Sequence, residues 1–294
     1  QKMDSEVNIY WGDDSIGLLK KGNNIFYPKV NIINADLLES KDREKILKRL
    51  QKWIDDNIAN LLKPIKEDTN KISKSSAIRS IAYTLFNDLG CTSKKNFPVQ
   101  VDKFTLDQKK DLANLGIRTG IEYYYLPNFM KKNAIELRAL LWKIYNSYNK
   151  KNFYPLPKDG RVYFNIECSL PQDYWPAIGY VKINNIALRV DIFERVFYLA
   201  RQKYRYGSFI ESSDLMNLIG CNSNKLKEIL LFLNYESITM GNDQLLFIYI
   251  PRDFIKKTKL RNDHALKNKN TIKNKFKKIK SESPFAVLED YFNK

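Results

Sequence analysis

"SSDLMNLIGCNSNKLKEILLFLNYESITMGNDQLLFIYI", residues 212–250, decides the fold class. "SSDLMNLIG" reads as a short helix capped by Ser212 or Ser213 and stopped by Gly220. "CNSNKLKEILLFLNY" sets Leu226, Ile229, Leu230 and Leu233 at i, i+3, i+4 and i+7, one face of a helix. "ESITMGNDQLLFIYI" is two strands about a Gly-Asn-Asp turn. Just upstream, "DIFERVFYLARQKY" (191–204) predicts a further helix with Ile192, Val196, Leu199 and Ala200 buried. Helix, short helix, helix and two-stranded wing is the order of a winged helix-turn-helix. Residues 161–251, which begin with the strands "RVYFNIE" and "IGYVKINNIALRV", are therefore expected to form a winged-helix-like domain. In a nucleic-acid-binding reading, Asn222, Asn224, Lys225 and Lys227 open the second helix of the motif and meet phosphates or base edges. In the alternative, the module only packs.

Upstream, "NKKNFYPLPKDG" (149–160) carries two prolines, a glycine and several lysines and reads as a linker. Before it, residues 1–148 are expected to form an N-terminal β/helical domain. "VNIYW", "SIGLLKKG" and "IFYPKVNII" are strands separated by turn residues. Ser40 starts a helix in which Ile46, Leu47, Leu50, Trp53, Ile54, Ile58, Leu61 and Leu62 recur at helical spacing until Pro64. A second helix is expected from about Ser73 to Leu89, and a third in "FTLDQKKDLANLG" with Thr105 as its cap and Gly116 as its stop. The expected class is mainly α with small β elements, an α+β protein.

Between these helices and the linker lies "LGIRTGIEYYYLPNFMKKNAIELRALLWKIY", residues 115–145. Through Pro127 it is extended or turn-like, and from Asn128 it turns helical, with Leu137, Leu141 and Trp142 expected to be buried. One reading makes it a grip on nucleic acid. Tyr123 and Tyr125 stack on bases while Arg118, Lys131, Lys132 and Arg138 meet phosphates. The other makes it a joint, with tyrosines turned inward by strand alternation and the two arginines paired with Glu122 and Glu136.

The whole chain of 294 residues carries 50 Lys and Arg against 33 Asp and Glu, a net of +17, which favours an acidic partner. RNA or DNA is the expected one, and no apolar run approaches the ~20 residues of a membrane span. The charge is concentrated in residues 252–280, where twelve cations face two carboxylates for a net of +10. Among them are Lys256, Lys257, Lys273, Lys275, Lys277 and Lys278. The tail 252–294 is expected to be disordered alone, ending in a short apolar docking segment, "SPFAVLEDYF". The three cysteines are far apart and form no CxxC, which excludes a zinc knuckle or dithiol site and suits a reducing, cytoplasmic compartment. There is no phosphate-cradling GxxxxGK[ST] loop and no GxGxxG after a strand, and His264 is the only histidine. No catalytic or metal-binding residue, and no cofactor, is expected in this chain.

Residues 115–145 resemble a pattern in the C-terminal region of alphaproteobacterial superfamily-two (DExH-type) helicases, relatives of the RNA helicase of the mitochondrial RNA-degrading complex. The resemblance runs through Gly116, Arg118, Gly120, Leu126, Pro127, Lys131 or Lys132, Leu137, Arg138, Leu141 and Trp142. "IYWGDDSIGLLKKGNNIFYPKV" is similar to the family's Trp-then-Gly strand pair, and "DREKILKRLQKWIDDNIANLLKPI" to its long helix. "RVDIFERV" and "SPFAVL" are similar to late family segments. The resemblance implies an accessory region that binds nucleic acid. ATP and magnesium would belong to motor lobes that this chain does not contain. It also implies a fragment of a longer protein or the product of a split gene, and the start on Gln1 rather than Met agrees. Two other classes stay open: a free-standing winged-helix DNA-binding regulator, and a scaffold that docks a nuclease or other RNA-processing partner through "SPFAVLEDYF".

Overall fold

The computed structural model describes residues 2–3, 8–11, 13–33, 39–62, 75–97, 104–146, 156–157, 161–166, 170–241 and 244–251. The chain is a mixed α+β protein built on small antiparallel sheets. It divides into two units. The first comprises Gln1–Lys203 and Ser212–Leu226, the second Tyr204–Glu211 and Lys227–Lys294.

The first unit opens with a four-stranded sheet in sequence order: β1 (Lys2–Met3), β2 (Asn8–Trp11), β3 (Asp14–Lys20) and β4 (Lys29–Ile32). Leu19 opposite Val30 places two buried side chains on one face, and Lys20 opposite Lys29 places two exposed ones on the other. Helix α1 (Ser40–Leu62) packs against β4, with Leu50, Ile54, Ile58 and Leu62 as its buried stripe. Each such side chain contributes about 1.5–3 kcal/mol when fully buried. Helix α2 (Ser76–Asn87) buries Ile78, Ile81, Ala82, Leu85 and Phe86. Helix α3 (Leu106–Asn114) starts where expected: Thr105 Oγ1 accepts from Gln108 N, and Gln108 Oε1 accepts from Thr105 N, a reciprocal capping box.

A second sheet has the order β5 (Cys91–Ser93), β7 (Tyr123–Tyr125), β6 (Arg118–Thr119). A 3₁₀ turn, Pro127–Met130, leads into α4 (Lys132–Tyr145). The third sheet orders β8 (Tyr163–Asn165), β10 (Ile186–Arg189) and β9 (Tyr180–Ile183). Between β8 and β9 lies a one-turn helix, α5 (Tyr174–Ala177), that the sequence patterns do not announce. Helix α6 (Val190–Tyr204) buries Val190, Phe193, Glu194, Val196, Phe197 and Ala200. The predicted stripe is thus corrected, for Ile192 and Leu199 are only half-buried and two phenylalanines and a glutamate take the inner positions. Helix α7 (Ser213–Ile219) ends on Gly220 in the left-handed region, φ +73°.

The expected domain boundary at 149–160 falls inside the first unit. Residues on either side of it pack together: the Trp142 and Tyr174 rings meet edge-on at 5.1 Å, and Arg138 donates to the Pro176 carbonyl at 3.2 Å. Most of the linker itself lies outside the described residues, as do the tail from 252 and its apolar end.

In the second unit, a sheet has the order β11 (Phe209–Ile210), β13 (Leu245–Tyr249), β12 (Tyr235–Thr239). Its inner face is aromatic. Phe209 lies 5.7 Å from both Phe247 and Tyr235, and Tyr249 is 5.1 Å from Tyr235 and 5.4 Å from Tyr204. Helix α8 (Ser223–Phe232), which belongs to the first unit through Leu226 and to the second from Lys227, buries Leu226, Ile229 and Leu230, and Leu233 is buried after them, as their spacing predicts.

Candidate functional site

The stacking reading of Tyr125 is corrected first, and the inward turn of the strand holds for Tyr124 and Tyr125. Tyr124 is fully buried and Tyr125 is 8% exposed, so neither offers a face to a base. Tyr123 is half-buried, its ring edge-on to Phe193 at 5.8 Å. Burial pushes the Tyr125 phenol up to about 12 and the Tyr123 phenol higher still. β7 is the middle strand of its sheet, flanked by β5 and β6, so both of its edges are hydrogen-bonded and its side chains pack above and below.

Arg138 is corrected too. It has no exposed surface. Its guanidinium donates from Nη1 to the Phe129 carbonyl at 3.0 Å and from Nη2 to the Pro176 carbonyl at 3.2 Å, and it lies 5.5 Å from the Phe129 ring. Among the described residues Glu136 does not pair with it; Glu136 is exposed. Loss of hydration pulls the Arg138 guanidinium down to about 10, still protonated at neutral pH. Gly179, at φ +83°, makes room for it, because a Cβ there would stand 2.8 Å from Nη1. Cys91 lies in the same interior, and burial pushes its thiol up to about 12, far from a reactive thiolate.

Sequence patterns missed the most organised polar cluster. The Glu194 side chain, 6% exposed, reaches from α6 to the loop before β7. There its carboxylate accepts from the backbone N–H of Ile121, from Glu122 N at 2.9 Å and from Tyr123 N at 2.8 Å. Three converging amides are an anion-binding concavity, and the protein fills it with its own carboxylate. Desolvation raises the Glu194 pKa, against the opposing pull of those three N–H groups. Gly120 is required beside it, since a Cβ there would fall 2.3 Å from Glu194 Cδ. The neighbouring Glu122 pairs with Lys95 at 3.7 Å. A signal was available: an acid at position 194 interrupts the stripe Val190, Phe193, Phe197.

Residues 115–145 are therefore a joint, clasped from α6 and from α5. The other expected contact residues lie outside this joint. Arg118 is exposed on β6, opposite Tyr125. Lys131 and Lys132 are exposed where α4 begins. Asn224 is exposed and Lys225 half-buried at the start of α8, whose first turn is capped by Asn222 Oδ1 accepting from Lys225 N at 3.1 Å. Lys227 is half-buried on the same helix. Lys256, Lys257, Lys273, Lys275, Lys277 and Lys278 lie outside the described residues. No group of three or more His, Cys, Asp or Glu among the described residues is placed to hold a metal, and no described helix is long and apolar enough to cross a membrane. No family model, no curated protein and no solved structure matches the chain.

Proposed function

We propose that this chain is a nucleic-acid-binding accessory region of an ATP-dependent RNA or DNA helicase, holding single strands without hydrolysing ATP itself. The observation that carries the binding is the distribution of charge: +17 overall, with +10 in residues 252–280. Like-signed charge at that density binds a phosphate backbone through counterion release. Arg118, Lys131 and Lys132 add exposed cations on the first unit. The helicase context rests on the resemblance through residues 116–142.

A winged-helix reading is supported by the succession α6, β11, α7, α8, β12, β13, by the pairing of β11 with β13, and by the left-handed Gly220 ending α7. The same features support the second reading, a free-standing regulator of duplex DNA. A regulator of that kind dimerises on a palindrome, so sedimentation with and without duplex separates the two.

The test is binding of labelled oligonucleotides across salt concentrations, with the whole chain and with a chain ending at Pro251. If half of the twelve tail cations meet phosphates, the slope of log K against log salt should fall by roughly 4 on truncation, from ~0.7 per contact. Between ~50 and ~200 mM salt that is a difference of roughly 300-fold in affinity lost. An affinity indifferent to salt, or to the tail, refutes the proposal.

A further inference from the structure

We infer that the cavity between the β3–β4 loop and α1 is a subsite for one unpaired nucleotide whose base carries N–H donors on its pairing edge; this rests on the nucleic-acid reading above. The cavity has a volume of about 470 Å3 and is lined by Asn23, Tyr27, Lys29, Gln51 and Asp55 among others. That lies within the ~300–1,000 Å3 typical of small-ligand sites.

Its wall is built in advance. Gln51 accepts from Val30 N at 3.1 Å and donates to the Pro28 carbonyl and to Asp55 Oδ1, both at 3.0 Å. Asn24 Oδ1 accepts from Phe26 N at 3.0 Å, which fixes the loop from the other side. Within that fixed loop, Ile25, Phe26 and Pro28 are buried while Tyr27 is 46% exposed. An exposed ring on a rigid support is a stacking platform.

Lys29 lines the cavity and charges its edge. Lys20 and Lys29 are exposed and stand directly opposite each other across β3 and β4. Like charges in that register oppose sheet formation. Lys21 is exposed beside them, its ammonium 4.4 Å from the Tyr145 ring. A phosphate held by Lys29 relieves its repulsion with Lys20, as counterion-releasing contacts do.

Asp55 supplies the selectivity. Its Oδ1 is held by Gln51, and a carboxylate can only accept hydrogen bonds. Guanine offers it two adjacent N–H groups, and adenine and cytosine an amino group. Uracil and thymine flank their single N–H with two carbonyl oxygens, which a carboxylate repels. An acidic peptide offers neither a base to stack nor a donor edge to read.

The experiment is fluorescence anisotropy of the full chain with labelled 12-mers, one of mixed adenine and cytosine and one of thymine alone, at fixed salt. Wild type should bind the adenine–cytosine strand at least about 5-fold tighter. Tyr27→Ala should weaken both strands at least about 5-fold, the low end of one lost base stack. Tyr27→Phe should restore binding. Asp55→Asn, which presents a donor as well as an acceptor, should bring the two strands within about 2-fold. If Tyr27→Ala unfolds, the phenylalanine and asparagine variants still decide the matter. Salt-dependent binding with no base preference and no response to Tyr27 or Asp55 overturns the subsite and leaves the nucleic-acid reading standing. Failure of wild type to bind any strand removes both. Equal displacement by polyglutamate makes this an acidic-peptide site and overturns the inference.

Discussion

Gly120 and Glu194 form a pair whose energetics can be separated by a double-mutant cycle. Glu194→Ala removes the acceptor for the three amides of residues 121–123 and opens a space on α6. Each N–H left unsatisfied costs ~1–3 kcal/mol when buried. Residues 121–123 are half-buried, so water recovers part of that, and the loss of charge burial offsets more. The expected cost is roughly 3 kcal/mol. Gly120→Ala alone inserts a methyl 2.3 Å from Glu194 Cδ and 2.6 Å from Oε2. The carboxylate cannot swing away without releasing its amides, so the overpacking should cost about 1–3 kcal/mol. With Glu194 already trimmed to alanine the clash is gone, and Gly120→Ala should then cost only a few tenths. The coupling energy is therefore about 1.5–2 kcal/mol, well above the ~0.5 kcal/mol scatter of independent sites. Urea unfolding of the four proteins, followed by circular dichroism, measures it as shifts in midpoint at constant slope. Additivity within ~0.5 kcal/mol would show that Glu194 does not hold the loop.

Three further outcomes concern the same region of the first unit. Arg138→Ala strands the Phe129 and Pro176 carbonyls and should lower stability by roughly 2–4 kcal/mol, from ~1–3 kcal/mol per unsatisfied carbonyl less the relief of no longer burying an unpaired cation; Arg118→Ala, on an exposed strand position, should leave the melting temperature nearly unchanged and weaken oligonucleotide binding. Glu194 also sets a pH dependence. Its folded pKa is raised above the unfolded value, so between the two the native state holds the extra proton and stability falls as pH rises. Comparing wild type with Glu194→Gln by urea titration from about pH 4 to 7 should show that this decline, and no other part of the profile, is lost. An unchanged profile refutes it.

The local elements were legible because their causes are local. The Thr105 cap, the Leu50, Ile54, Ile58 and Leu62 part of the α1 pattern (Leu47 and Leu61 of the same pattern are exposed) and the spacing of Leu226, Ile229, Leu230 and Leu233 each lie within one or a few turns. Arg138 was not legible. It borders the apolar stripe of α4, and its partners are carbonyls 9 and 38 residues away that only the assembled fold brings to it. The same holds for the domain boundary, since proline and lysine composition at 149–160 says nothing about whether Trp142 and Tyr174 will meet. For the cavity at Gln51, the helix and the strand segment "IFYPKVNII" are both legible, but the meeting of Gln51 with the Pro28 and Val30 backbone, more than 20 residues away, is not.

The Glu194 clasp also has a consequence in time. Its oxygens are supplied 71 to 73 residues after the amides they serve. A ribosome adding roughly 5–20 residues per second delivers that carboxylate about 4–15 s after the loop has been made. Through that interval the amides of residues 121–123 must be served by water, so β7 cannot take its final seat before α6 emerges. Folding of the first unit is thus tied to the order of synthesis: a nascent chain halted anywhere between 124 and 193 carries the socket without its plug, and it should be a preferred client of chaperones that bind unfinished surfaces.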